Sequence, residues 1–135
     1  MGNFQSQVRI LASEAGINVA DVDSTHAEVI FNFGHDHRQC VWITPHNEGT
    51  LWEFSCLAAV RRSDPEDFPR NLLAYALRDN ARNPLGFWCI KRASGGYYYL
   101  DYMANHQTYS LTPREFGRTC NVVASEVEQL ENAIA

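Results

Sequence analysis

Residues 77–92, LRDNARNPLGFWCIKR, place a predicted helix end and a predicted strand start close together. This stretch joins a segment of helical character to one of strand character across a short link. Because the residue before a proline avoids helical geometry, Asn83 and Pro84 predict the end of the helix. Phe87 and Trp88 then begin an aromatic strand, in which neighbouring side chains point to opposite faces. The stretch therefore predicts a sheet with one aromatic ring against a helix layer and another on the far face.

Downstream of this stretch, the sequence predicts a hairpin and a long helix. ASGG, residues 93–96, has two glycines that supply the positive φ of a tight turn, and YYYLDYM, residues 97–103, follows as the second strand. Thr112 and Glu115 form a capping box around Pro113. Apolar residues then recur at helical spacing, namely Phe116, Cys120, Val123, Val127, Leu130 and Ile134. This stripe favours a helix packed on the sheet over a seam with a partner helix.

Upstream, one helix and three strands are predicted. Residues 4–15 carry a single apolar stripe and are followed by Gly16, which suits the position just after a helix end. AEVIFNF, RQCVWIT and LWEFSCLA, residues 27–33, 38–44 and 51–58, have the alternation and turn-rich borders of strands.

A middle helix is predicted to open at Asp64 and Pro65, with Phe68, Leu72 and Tyr75 along its buried stripe. The element order is therefore α-β-β-β-α-β-β-α. Hairpin succession on both sides of a helix predicts the α+β class, with one antiparallel sheet of about five strands and three helices on a face.

The composition limits the kinds of partner. A chain of 135 residues suits one domain, residues 1–135, and its net charge of -5 argues against nucleic acid and anionic membrane. Partners with basic or apolar segments remain open. The first residues lack the pattern of a signal peptide, and no apolar run approaches the roughly 20 residues of a membrane span. These features predict a cytoplasmic protein.

The element order and two motifs resemble the type III secretion chaperone-like fold, and within it the YbjN-like branch. That branch ends its second helix in a pattern like L-x-x-N-A-x-x-P-L-G before an aromatic strand, and opens its last helix with L-T-P-E-E-F. The matching residues here are Leu77, Asn80, Ala81, Pro84, Leu85, Gly86 and Phe87, then Leu111, Thr112, Pro113, Glu115 and Phe116. The resemblance implies a non-enzymatic module that binds a protein or peptide, without a cofactor.

Signs of catalysis are weak in this sequence. His35, His37 and His46 could hold a transition metal, and a small metal-dependent enzyme using them is the alternative interpretation. Short polar residues are, however, expected in a hairpin turn, so no metal is predicted. The four cysteines form no C-x-x-C pair and occupy apolar periodic positions, where thiols are usually inert. No hydrolase, zinc-protease or nucleotide-binding motif occurs.

The surplus of aromatic residues is the stronger functional signal. Trp42, Phe87, Tyr97 and Tyr99 are predicted to share the far face of the sheet. So large an apolar patch exceeds what soluble monomers usually expose. The sequence therefore predicts a homodimer, a peptide-binding groove, or both on this face, with a purely structural dimer subunit as the remaining alternative.

Overall fold

The computed structural model describes residues 3–134 and consists of one six-stranded sheet and three α-helices. The helices are α1 (Phe4–Ala15), α2 (Arg70–Arg82) and α3 (Pro113–Ile134). The strands are β1 (Val19–Val22), β2 (Ala27–Asn32), β3 (Arg38–His46), β4 (Leu51–Arg62), β5 (Phe87–Arg92) and β6 (Tyr98–Gln107). They pair antiparallel in the order β1-β2-β3-β4-β6-β5. The predicted α+β class, single antiparallel sheet and three helices are confirmed.

The sheet has one strand more than the sequence analysis expected. β1 is a four-residue strand at one edge, and it pairs with β2 through an irregular register. It was missed because it is short and half of it is exposed, so its apolar alternation is weak. The prediction of about five strands is otherwise close, and the element order gains one strand after α1.

Helix α2 begins later than predicted. Asp64 does act as a cap, but it accepts a hydrogen bond from the Glu66 backbone in a short 3-10 turn, not in the α-helix. Pro69 explains the delay, because it forces Phe68 into extended geometry with a ψ of 137°. The α-helix therefore starts only at Arg70, and Phe68 reaches the core from outside it.

The other helix ends agree with the sequence analysis. Asn3 caps α1 by accepting the Ser6 backbone N–H at 2.7 Å, and Gly16 closes it in left-handed geometry. At the start of α3, the Glu115 backbone donates to Thr112 Oγ1 at 3.1 Å. These caps fix where the two helices enter the core.

One hydrophobic core lies between the helices and one face of the sheet, called here the inner face. The alternate residues of β3 and β4, such as Val41, Ile43, Trp52 and Phe54, are buried on it. The α3 stripe covers them and is itself buried, except that Ile134 at the helix end is exposed. The stripe is thus a helix-on-sheet contact, as predicted.

The junction of residues 77–92 shows why its motif residues matter. The side-chain amide of Asn80 on α2 binds both backbone groups of Trp88: Oδ1 accepts the N–H at 2.5 Å, and Nδ2 donates to the C=O at 3.2 Å. Asn80 thus stands where a further strand would pair with edge strand β5. Gly86 is required for a close approach, since a Cβ there would lie 2.5 Å from the Met103 carbonyl oxygen.

Among the described residues, no helix is both long and apolar enough to cross a membrane.

Candidate functional site

The sheet face opposite the helices, called here the outer face, carries a row of apolar side chains. Strand pairing aligns Trp42 with Ser55, Ser55 with Met103, and Met103 with Phe87. Directly paired residues of an antiparallel sheet point to the same side, so these four residues form one line across four strands. Trp42 and Phe87 stand at its two ends and are 37% and 41% exposed, while Ser55 in the middle is buried.

The other two predicted face residues lie toward one end of the same face. Tyr99 pairs directly with Arg61 of β4 and is half-buried. Tyr97 precedes β6, is 39% exposed, and has the Arg61 guanidinium 4.2 Å above its ring centre. The structure therefore brings Tyr97 and Tyr99 together around Arg61, and sets Trp42 and Phe87 apart from each other by three strand spacings, about 14 Å.

The outer face is concave. Lys91 of β5 is paired with Tyr99 of β6. Glu53 of β4 is paired with Asn105, which lies six residues further along β6 (99 to 105). In a flat sheet six residues cover about 20 Å. Lys91 Nζ nevertheless lies 3.4 Å from Glu53 Oε2. The two long side chains bridge part of this distance, and we infer that the twisted sheet bends toward this face along the diagonal from Lys91 to Glu53; the bulge in β4 adds to the local twist.

Asp101 lies at the bottom of the concave face, between Leu57 and Cys89 on the neighbouring strands. Its side chain is 0% exposed, and neither carboxylate oxygen has a hydrogen-bond partner among the described residues. Lys91 Nζ lies 3.7 Å from Oδ2. Burial raises the pKa of Asp101 to about 7, an effect that Lys91 opposes and Glu53 reinforces. A buried carboxylate without hydrogen bonds is costly, so this residue is a functional candidate.

Two of the cysteines do not lie where the sequence analysis placed them. Cys56 and Cys120 are buried in the core, but Cys40 and Cys89 are on the outer face and half-buried. The prediction that all four thiols sit on buried stripes is therefore wrong for these two. Alternation on β3 and β5 is ambiguous because both faces carry apolar residues. Burial still raises the pKa of Cys40 and of Cys89 to about 11, so neither thiol ionises near neutral pH.

The three histidines of the alternative metal site are not brought together. His35 and His37 belong to the turn before β3, whereas His46 is the last residue of that strand. A nine-residue strand spans about 30 Å, so one ion cannot bind all three side chains. His46 instead pairs with Glu53, with Nε2 3.1 Å from Oε1.

His37 meets two acidic residues of α3 that sequence reasoning missed. Its Nδ1 lies 2.5 Å from Glu128 Oε1, and its Nε2 lies 3.2 Å from Glu131 Oε1. The buried Gln39 donates to both carboxylates, at 3.0 and 2.8 Å, and the Ala59 backbone donates to Glu131. Such a set of ligands could bind a cation, but the hydrogen bonds already satisfy the two carboxylates and tie α3 to β3 and β4. The i, i+3 spacing of the two glutamates was the available signal.

A second buried acidic pair lies between α2 and α3. Asp79 accepts a hydrogen bond from Trp88 Nε1 at 2.9 Å, and it holds the indole at the end of the core. Burial raises the pKa of the adjacent Glu126 to about 7, and its hydrogen bond with Asp79 adds to the rise. Glu126 therefore keeps its proton to a higher pH than an ordinary glutamate does, and Asp79 positions Trp88.

Sequence reasoning found the aromatic part of the outer face and missed its charged centre. The signal for Asp101 was present in YYYLDYM, because odd positions place it on the face of Tyr99 and Met103. Glu53 and Lys91 gave no comparable signal, since their contact depends on the curvature of the sheet.

The fold is that of the type III secretion chaperone-like proteins, so the resemblance inferred from the sequence is confirmed at the level of the fold. One similar structure is the Yersinia pestis type III secretion chaperone SycH in complex with a fragment of YscM2. It has a TM-score of 0.58 and 12% identity over 93% of this chain and 98% of that chain. YbjN from E. coli has a TM-score of 0.61 and 13% identity over 94% and 92%.

At such identities the likeness establishes the fold alone. No protein-family model matches the sequence, and no curated protein matches it.

Proposed function

We propose that this chain is a non-enzymatic module that binds an extended segment of a partner protein on its outer face. The observation that carries the proposal is the row from Trp42 to Phe87, which places exposed aromatic rings at both ends of a concave sheet face. An aromatic ring beside a groove can anchor a peptide side chain. The SycH structure, whose fold is similar, is a complex with a fragment of another protein.

The chemistry of the remaining residues supports a non-enzyme. The cysteine thiols have pKa values well above neutrality, because all four are at least partly buried. The histidine set that favoured a metal-dependent enzyme is spread over both ends of β3. The polar contacts of α2 at Asp79 and Asn80 hold the junction with β5.

We also propose that this protein is a homodimer in the cytoplasm. Its negative charge predicts that it binds neither nucleic acid nor membrane. A two-fold contact along part of the outer face would bury some of its aromatic residues and leave the concave part open beside the interface. A purely structural dimer subunit is the competing proposal, and it would bury the whole face.

The binding proposal is tested with peptides selected from a random display library on the purified protein. Fluorescence anisotropy then gives the affinity of one selected peptide for the wild type and two variants, Trp42→Ala and Phe87→Ala. We expect each variant to weaken binding by about 2–4 kcal/mol if its ring is an anchor.

The matched control is Tyr109→Ala, which removes an aromatic ring that is 84% exposed outside the sheet. This control should bind like the wild type. Selection of no binding peptide, or equal affinity in all variants, would refute the proposal.

A further inference from the structure

The charged residues of the outer face bear on the chemistry of its partner. Two acids, Glu53 and Asp101, lie beside Lys91, whose Nζ is 3.4 and 3.7 Å from their oxygens, and His46 also pairs with Glu53. Glu53 and Asp101 are buried or nearly so, with side chains 14% and 0% exposed. The centre of the outer face therefore holds two acids beside one lysine.

A third acid lies beside one end of the aromatic row. Glu28 of β2 is paired directly with Trp42, so its side chain is on the outer face. Cys40 Sγ lies 3.8 Å from Glu28 Oε1, and side-chain atoms of Asp21 and His26 lie within 4.8 Å of the Glu28 carboxylate. Among the described residues, no ion pair joins Glu28 to a lysine or arginine. Acidic side chains thus extend along the row from Asp101 to Trp42, whereas Arg61 lies at the end of the face that carries Tyr97 and Tyr99.

Asp101 adds an observation that is independent of this charge count. Its two oxygens are fully buried, lack hydrogen-bond donors among residues 3–134, and are on the same side of the sheet as Met103. A hydrogen-bond donor that reaches either oxygen of this buried carboxylate would stabilise it. The Lys91 side chain beside the carboxylate is 43% exposed, so the charged group next to Asp101 is in contact with solvent.

Resting on the proposed function, we propose that the outer face recognises a partner segment with one arginine or lysine between apolar side chains. The apolar side chains contact Trp42, Met103 and Phe87. The basic group enters beside Lys91 and donates to Asp101, which supplies the hydrogen bonds that this carboxylate lacks, and it also lies next to Glu53. A guanidinium suits this position best, because its planar fork can donate to two carboxylates at once.

The test uses synthetic peptides in which leucine and serine alternate and the middle leucine is replaced by arginine, glutamine or glutamate. Alternation puts the replaced residue on the leucine side of an extended chain. Anisotropy titrations with the full-length protein should show the arginine peptide binding at least about tenfold more tightly than the glutamate peptide, with glutamine between them.

Two variants test whether the acidic centre at Asp101 and Glu53 causes the preference for the arginine peptide. Asp101→Asn keeps the shape of the side chain and should bring the ratio of the two dissociation constants close to one. Glu14→Gln makes the same charge change on the exposed surface of α1 and should leave the ratio at its wild-type value.

The outcomes separate the two proposals. Equal binding of all three peptides would overturn the basic-residue preference and leave the proposed function standing. If Asp101→Asn kept the wild-type preference for the arginine peptide, the proposal would also be overturned, because the selectivity would then come from other residues. Failure of the three designed peptides alone would overturn this inference, whereas failure of the library-selected peptides as well would overturn the peptide-binding function itself.

Discussion

Single residues decide two features of this protein, the packing at Gly86 and the ionisation of Asp101. Gly86 follows Pro84 and Leu85 at the entrance to β5, and its φ is not in the left-handed region, so glycine is not needed there for the turn. It is needed because the backbone passes close to the Tyr102 ring. This role could not be predicted from the sequence, because the contact joins Gly86 to a strand residue 16 positions away (86 to 102).

Gly86→Ala should destabilise the fold by about 1–3 kcal/mol, as an overpacked core site does. The added Cβ would lie 2.5 Å from the Met103 carbonyl oxygen and 2.7 Å from a carbon of the Tyr102 ring. Neither the carbonyl nor the buried ring can move without disturbing the pairing of β5 with β6. Urea unfolding measures the loss, and an unchanged midpoint would contradict this account of the site.

Asp101 should make stability depend on pH. Its pKa is about 7 in the folded protein and 3.8 without the effects of burial, so the folded state binds more protons between these values. The contribution of this group is therefore fully present below pH 4 and is lost as the pH rises to about 7. Unfolding free energies from urea titrations should fall from pH 5 to pH 8.

The variant Asp101→Asn cannot ionise and should show a smaller fall over this range. Glu126 has a raised pKa as well and keeps part of the dependence in both proteins. The surface substitution Glu14→Gln serves as the control and should follow the wild type. If the unfolding free energy of Asp101→Asn fell with pH in parallel with that of the wild type, folding would not raise the pKa of Asp101, and this prediction would be wrong.

At the scale of elements, local sequence signals predicted the helices well where caps were strong. α1 has the predicted bounds because Asn3 and Gly16 satisfy its ends. The start of α2 was misplaced because Asp64 and Pro65 also cap a 3-10 turn, and the effect of Pro69 on the residue before it overrides helix propensity. β1 lacked a signal since pairing with β2, not its own pattern, makes it a strand.

The edge of the sheet depends on Asn80. Asn80→Ala would leave the Trp88 N–H and C=O without their partners, which should cost about 1–3 kcal/mol. It should also open the β5 edge to pairing with other chains, so aggregation on heating should increase.

Asn71→Ala is the matched control, because it removes an exposed asparagine from the same helix. It should change stability by no more than about 0.5 kcal/mol. Equal unfolding midpoints for the two variants would show that Asn80 does not protect the strand edge.

At the scale of the whole molecule, the sequence predicted that the second sheet face carries aromatic residues, and it could not predict the shape of that face. Concavity arises from the coiling of six strands and the bulge in β4, which no local pattern encodes. The acidic centre at Asp101 and Glu53 exists only because the curved sheet brings distant rows together.

The exposed apolar row should affect assembly as well. We expect a homodimer in light scattering, with twice the 15.3 kDa mass of one chain. Trp42→Ala or Phe87→Ala should weaken the association if the interface uses that ring. A monomer at every concentration, for the wild type and both variants alike, would rule out a dimer on this face.

The three tryptophans of the chain can report whether a partner segment binds the outer face. Trp42 lies on the outer face, whereas Trp52 and Trp88 are buried in the core on the other side. Nitrogen-15 NMR gives one indole N–H signal for each, and Trp42→Phe identifies the signal of Trp42. Addition of a selected peptide should shift the Trp42 indole signal and leave those of Trp52 and Trp88 in place. A shift of either core indole with Trp42 unmoved would contradict binding on the outer face.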